Sequence, residues 1–405
     1  MPQNKSVRSI VEKIVEGLFK FCGSISIIVI LLITAFLFKE GMGLFNSSVV
    51  ESGYVLCLHP SNKVKTLTSF QIKEMFDYEI ENWKEVGGDD LEIRIFRFEE
   101  IFNYYTDEEL GEDYALLPEK LADEIEKDEA IIAFVPEKYV LKESDKLKVL
   151  NTGAISLNDF FVGQEWMPTS TPTAQFGALP LILGTLWVSF FAILIALPLG
   201  IGVAIYMSEL AGERIRRLMK PAIELLAGIP SVVYGFFGLI VLVPLIQKIF
   251  NLPVGETAFA GSLVLAIMAL PTIITVAEDA MRSTPAAMRE ASLSLGANQW
   301  QTIYRVVVPY ASSGISAAVI LGIGRAIGET MAVLMVTGNA AVMPISLFEP
   351  IRTIPATIAA ELGEAPTGGT HYKALFLMGC ILFIITLAMS IFAEMVSKKQ
   401  HNKGI

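Results

Sequence analysis

Six long runs nearly free of charge leave few folds open to this chain. A helix needs about 20 mainly apolar residues to cross a hydrocarbon layer ~30 Å thick. Phe21 to Phe38 is one such run, and a second builds from Gly177 to Ser208. Leu225 to Gln247 and Thr257 to Ala277 follow. A fifth covers residues 312–338 and contains Arg325 and Glu329, and Ala374 to Ala393 is the sixth. Of the 405 residues, 53% are hydrophobic and 18% charged, against about 25% charged in soluble domains. The composition excludes an ordinary soluble enzyme. An all-α polytopic membrane protein with six transmembrane helices is expected.

The charge is divided unevenly. Residues 46–165 hold 27 acidic and 12 basic residues, and the remainder is net basic. The expected division is residues 1–45 as N-terminus and first span, 46–165 as an inserted domain, and 166–405 as a five-span core. Lys39 and Glu40 follow the first run directly without a small-x-small cleavage site, so an uncleaved span is expected. Basic residues in short loops mark the cytoplasm. With the N-terminus inside, Arg214, Arg216, Arg217, Lys220, Arg282, Arg289 and Arg305 fall on that side. Lys5, Arg8 and Lys13 join them near one end, and Lys398, Lys399 and Lys403 near the other. The opposite short loops hold Lys39, Lys248, Arg352 and Lys373. Both termini are therefore expected in the cytoplasm, and the acidic insert outside. An acidic chain argues against nucleic-acid partners. Three cysteines exclude a disulfide framework, and His59, His371 and His401 lack ligand spacing. Neither a metal nor a cofactor is expected.

The insert reads as a small α/β unit. Leu91, Ile93 and Ile95 alternate with Glu92 and Arg94 as in a half-buried strand, and Ala130–Val135 is a short apolar strand closed by Pro136. Residues 69–76 suit a short helix capped by Ser69, and Pro118 opens a second. The stretch Leu67–Glu100, with Trp83, Val86, Gly87 and Gly88 in its turn, resembles phosphate-binding periplasmic proteins. In that family a Gly-Ser-Gly-Thr loop follows the strand and cradles phosphate at a helix N-terminus. Here Asp107, Glu108 and Glu109 occupy that region. A phosphate cradle is not expected, and docking or bracing is.

Residues 278–309 read as a helix–turn–helix elbow between spans four and five. Thr284 is placed to cap a helix with Pro285 in its first position. Gly296 ends that helix in the left-handed conformation, and Asn298 with Gln301 caps the next. Glu290, Ala291, Ser292, Gly296, Ile303 and Pro309 match the elbow pattern of permease subunits of ABC importers, with Ser292 in place of an alanine. The resemblance implies that Glu290, Ala291 and Gly296 couple the membrane helices to an ATPase subunit. The chain has no G-x-x-x-x-G-K-[ST] motif, so ATP hydrolysis must come from a partner.

Arg325 and Glu329 stand four apart, which on a continuous helix places them on one face as a pair. Each charge costs about 2.5–3.5 kcal/mol at the centre of a membrane helix, and such residues normally serve a pathway. Gly324 and Gly328 form a small-xxx-small pair suited to a close helix neighbour. "GRAIGETMAV" (Gly324–Val333) resembles the signature of phosphate importer permeases of the PstC type, as do Ala222–Leu239, Met268–Pro285 and Gly184–Ala211. The resemblance implies a type I ABC importer permease that is not itself an enzyme. Its pathway residues would be Arg325, Glu329, Thr330 and Glu224. Its partners would be a second permease (PstA-like, or another copy), two ATPase subunits, a phosphate-binding protein outside, and the lipid bilayer. Pro230 and Pro271 are expected to bend their helices. A permease for another oxyanion, such as molybdate or sulfate, and a membrane-anchored receptor remain the alternatives.

Overall fold

A computed structural model describes residues 4–51, 53–141 and 145–401; Lys403 lies outside them. Among the described residues, five helices are long and apolar enough to cross a bilayer, and a pair bent by 71°, Gln299–Tyr310 with Ser312–Gly328, counts as a sixth if taken as one span; Ser312–Gly328 is the membrane part of span five. Span one is the helix Asn4–Met42. It lies against span six, the helix Thr370–His401, with Phe36 edge-on to Phe376. A Cβ on Gly41 would stand 2.9 Å from the Leu377 backbone. Glycine is what lets these two helices approach there.

Spans two (Leu179–Leu210), four (Ala258–Arg282) and five form the centre. Span four is the most enclosed, with 61% of its most apolar window buried inside the chain and none of span one's. Small side chains make the close approach possible: Ala196, Ala266 and Ala269 cluster with Ile273, and a Cβ on Gly200 would stand 2.7 Å from the Ile273 side chain. Packing of this kind replaces the hydrophobic effect as the force between helices in lipid. Pro271 sits within an uninterrupted helix.

Span three differs from the run expected at Leu225–Gln247. The chain breaks at Ile229–Pro230, and the span is Ser231–Phe250. Leu225 to Gly228 belong to a separate amphipathic helix, Glu213–Gly228. Proline explains the break, since the residue before it is pushed out of the α region, and Ile229 is extended at φ −70°, ψ 128°.

The insert carries a four-stranded sheet in the order β2-β3-β1-β4. Its strands are β1 (Tyr54–Leu58), β2 (Arg94–Arg97), β3 (Ile131–Pro136) and β4 (Lys148–Val149). β2 runs parallel to β3, and β1 runs antiparallel to both β3 and β4. Alternation sends Leu56, Leu58 and Ile132 to one face, against Ile72, Met75 and Trp83 of the helix Ser69–Phe76 and the turn after it. Cys57, Ile131, Ala133 and Phe96 take the other face, against Leu121 and Ile125 of the helix Leu117–Glu126. Burial pushes the Cys57 thiol up to about 12, so it is a packing group and not a nucleophile. Thr68, not Ser69, caps the first insert helix, in a reciprocal box with Gln71. Ser69 is buried and donates to Gln175.

Candidate translocation pathway and coupling elbow

Span five is broken at the residues that carry its charge. The helix Ser312–Gly328 stops before Glu329, which is extended at φ −73°, ψ 131°. After Thr330 the chain resumes as a short helix, Met331–Val336. Arg325 and Glu329 therefore do not share a helix face, and they form no ion pair among the described residues. The i,i+4 argument fails because it assumed a continuous helix. The break leaves both side chains half-buried, and the Arg325 Nε is enclosed without a hydrogen-bond partner. Thr330 returns its hydroxyl to the Gly328 carbonyl at 3.3 Å.

The surrounding helices hold this break. Ser189 of span two donates to the Ala326 carbonyl, 3.3 Å away. Gly235 of span three lies against Ala332 and Met335 of the short helix. Tyr234 is near enough to Arg325 to feel its charge, while its hydroxyl donates to the Leu226 carbonyl at 2.9 Å. Among the described residues, and apart from the adjoining residues and turns of their own helix, no atom comes within 4 Å of a Cβ placed on Gly324 or Gly328. Their small-residue face is thus not packed by a helix of this chain. The tight contact is at Gly322, where an added Cβ would stand 2.9 Å from the Ile273 side chain. Glu224 lies elsewhere, exposed on the amphipathic helix beside Arg216, Lys220 and Arg282.

The elbow is built from two short helices around one glycine. The first, Ala286–Ser294, has Pro285 at its N-cap and no side-chain cap. The expected Thr284 cap is not made, and the Thr284 hydroxyl is buried without a partner. Gly296 has φ +86°, which only glycine adopts freely. It allows Gly296 and Ala297 to donate back to Leu293 and Ser292. Asn298 and Gln301 then cap each other reciprocally. Ser292 and Thr302 hydroxyls join the two arms at 3.0 Å. Glu290 and Ala291 are exposed, as are Leu295 and Trp300 at 89% and 61%.

One contact that sequence reasoning missed fixes the elbow to the membrane body. Arg289 grips the carboxylate of Glu209, at the end of span two, with bonds of 2.8 and 3.1 Å. It also donates to the Thr284 and Met281 carbonyls. A planar guanidinium holding both carboxylate oxygens fixes orientation as well as distance. The two residues are 80 apart in sequence, so no local pattern announces the pair.

Residues 196–402 match the model of the binding-protein-dependent transport system inner membrane component family. The chain belongs to that family. The permease is 41% identical over 246 residues to the probable ABC transporter permease protein YqgH of Bacillus subtilis, covering 61% of this chain and 79% of the relative. It is 39% identical over 265 residues to the phosphate transport system permease protein PstC of Pasteurella multocida, covering 60% and 81%. The MetNI methionine ABC transporter in inward-facing form overlaps it with a TM-score of 0.44 at 16% identity, covering 54% of this chain and 94% of that one. A putative phosphate ABC transporter substrate-binding protein from Clostridium perfringens overlaps 27% of this chain and 49% of its own, with a TM-score of 0.19 at 25% identity. The permease is thus a multi-pass membrane component of an ABC transport system and not an enzyme.

Sequence reasoning also passed over a second junction in the permease, where the insert meets the spans. Glu361 accepts from Trp166 Nε1 at 2.9 Å, from Arg352 at 2.7 Å, and bonds His371 Nε2 at 2.9 Å. Burial raises the carboxyl, but the His371 and Trp166 bonds and the Arg352 charge outweigh it and hold it below its ordinary range. Beneath this clasp, Phe160, Trp166 and Phe176 share one apolar cluster with Leu181, Leu375 and Met378 of spans two and six.

Proposed function

We propose that this chain is the phosphate-translocating permease subunit of an ATP-driven importer in the cytoplasmic membrane. The observation that carries the reading is the break in span five, which leaves Arg325 with an unused donor inside a helix bundle. Identity of about two residues in five to phosphate transport permeases supports the choice of anion. A buried donor left unpaired costs about 1–3 kcal/mol, and a passing phosphate oxygen relieves that cost. Glu329, just past the helix end, sets a negative charge near Arg325 and weakens its hold, so that the anion leaves as well as enters. Thr330 lies at the break itself, where its hydroxyl would have to turn from the Gly328 carbonyl to donate to the anion. Glu224, exposed beside a basic cluster, is the outlying member of the expected set and serves the cytoplasmic end.

Glu290, Ala291 and Gly296 meet an ATPase subunit on the cytoplasmic side, and Arg289 and Glu209 pass its movement to span two. The open Gly324–Gly328 face receives a helix of a second permease, related in sequence or identical. An extracytoplasmic phosphate-binding protein delivers the anion. Both termini lie in the cytoplasm, in line with the basic short loops, and residues 46–165 form an outer domain that braces the transporter. Uptake of labelled phosphate into vesicles holding the complete transporter tests the reading. ATP-dependent phosphate accumulation is expected. Accumulation of molybdate or sulfate with no phosphate would overturn it.

A further inference from the structure

The amphipathic helix Glu213–Gly228 has three faces with different surroundings. One faces the protein: Ile223 is buried, Met219 packs against the cluster of Met207 and Ile274, Arg216 donates to the Met207 and Ser208 carbonyls, and Lys220 reaches Asp279 at 3.4 Å. At about 100° per residue, Glu213, Arg217 and Glu224 make a second, polar face. They are exposed, and Arg217 and Glu213 pair at 3.6 Å. Ile215, Leu218, Leu225 and Leu226 make the third, and all four are exposed among the described residues, Leu218 at 76% and Leu225 at 74%.

The apolar face has a definite neighbour. Three residues after Leu226 the chain breaks at Ile229–Pro230 and enters span three, whose Val232, Val233 and Phe236 are also exposed. The bare apolar face of the helix is thus followed in the chain, across the break, by exposed apolar side chains of a membrane span. Arg214 flanks Leu218 and Leu225 on the helix wheel, is exposed, and makes no bond or ion pair among the described residues. A helix with an apolar face, a water face and cations at the seam is built to lie in a membrane interface.

We propose that Glu213–Gly228 lies in the headgroup layer as an interfacial anchor. Leu218, Leu225 and Leu226 enter the acyl boundary, and Arg214 and Arg217 hold anionic lipid phosphates. The inference extends the family assignment and does not depend on which anion is transported. Lysines and arginines at an anionic surface each favour binding by about fivefold.

Spin labels at Leu218→Cys, Leu225→Cys and Glu224→Cys, in a Cys22→Ser background of the complete transporter in nanodiscs, give the depth directly. Leu218 and Leu225 should be accessible to oxygen and shielded from a water-soluble nickel chelate, and Glu224 the reverse. In nanodiscs of mixed phosphatidylglycerol and phosphatidylcholine, annular phosphatidylglycerol should be enriched, and Arg214→Gln with Arg217→Gln should remove most of that enrichment. Equal exposure of all three labels to the nickel chelate would overturn the proposal. So would a Leu218 label shielded from both reagents and cross-linked to the second permease subunit, or enrichment unchanged by the double substitution.

Discussion

Arg325 sets the terms at the scale of single residues. If its unpaired Nε serves a passing anion, Arg325→Gln abolishes phosphate uptake while the complex still assembles, as size-exclusion chromatography of the purified transporter will report. Normal transport by that variant would reduce the arginine to a helix fastener. The sequence singles out Arg325 and Glu329 as charges in one apolar run, but not their relation. Periodicity presupposes a continuous helix, and nothing local to Glu329 signals the break before it. Glu361 was not legible at all, because its partners Trp166, Arg352 and His371 come from separate parts of the chain. Its carboxyl is held below the ordinary value of 4.5. The stability it contributes is therefore complete above about that pH, and is lost as pH falls through the lowered folded value. Trp166 fluorescence should stay constant down to about pH 4.5 and shift below it. Glu361→Gln should lose about 2 kcal/mol of stability at neutral pH and flatten that acid transition.

Between elements, the elbow was the most readable part. Glycine at a left-handed position and Asn298 with Gln301 at a helix start are local signals, and the structure reproduces both. Thr284 failed as a cap because Pro285 itself occupies the N-cap position. The Glu209–Arg289 clamp ties the elbow to the end of span two, together with Gln299, whose side-chain amide donates to the Glu209 carbonyl at 3.0 Å. Arg289→Glu alone should cost about 3 kcal/mol and uncouple ATP hydrolysis from transport. The charge swap Glu209→Arg with Arg289→Glu should recover part of the coupling. A swap no better than the single change would mean that the Thr284 and Met281 contacts of Arg289 matter more than the ion pair.

The molecule as a whole joins two kinds of structure that composition separated from the start. In the insert, backbone N–H groups at and after the end of β2, where an anion cradle would need free donors, are already taken. Arg97 N–H donates to the Glu100 carboxylate at 3.1 Å, and Thr106 N–H to Glu109 at 2.9 Å. The Thr106 bonds hold the Glu109 carboxyl below its ordinary range. Titration calorimetry of residues 46–165 with phosphate should show no heat of binding, and micromolar affinity would contradict the bracing role. Span one carries a different consequence. Its companion in the bilayer is span six, which begins at Thr370. Ribosomes add about 5–20 residues per second. Span one therefore waits in lipid for on the order of half a minute while everything between it and span six is made, and its packing surface stays open until span six arrives.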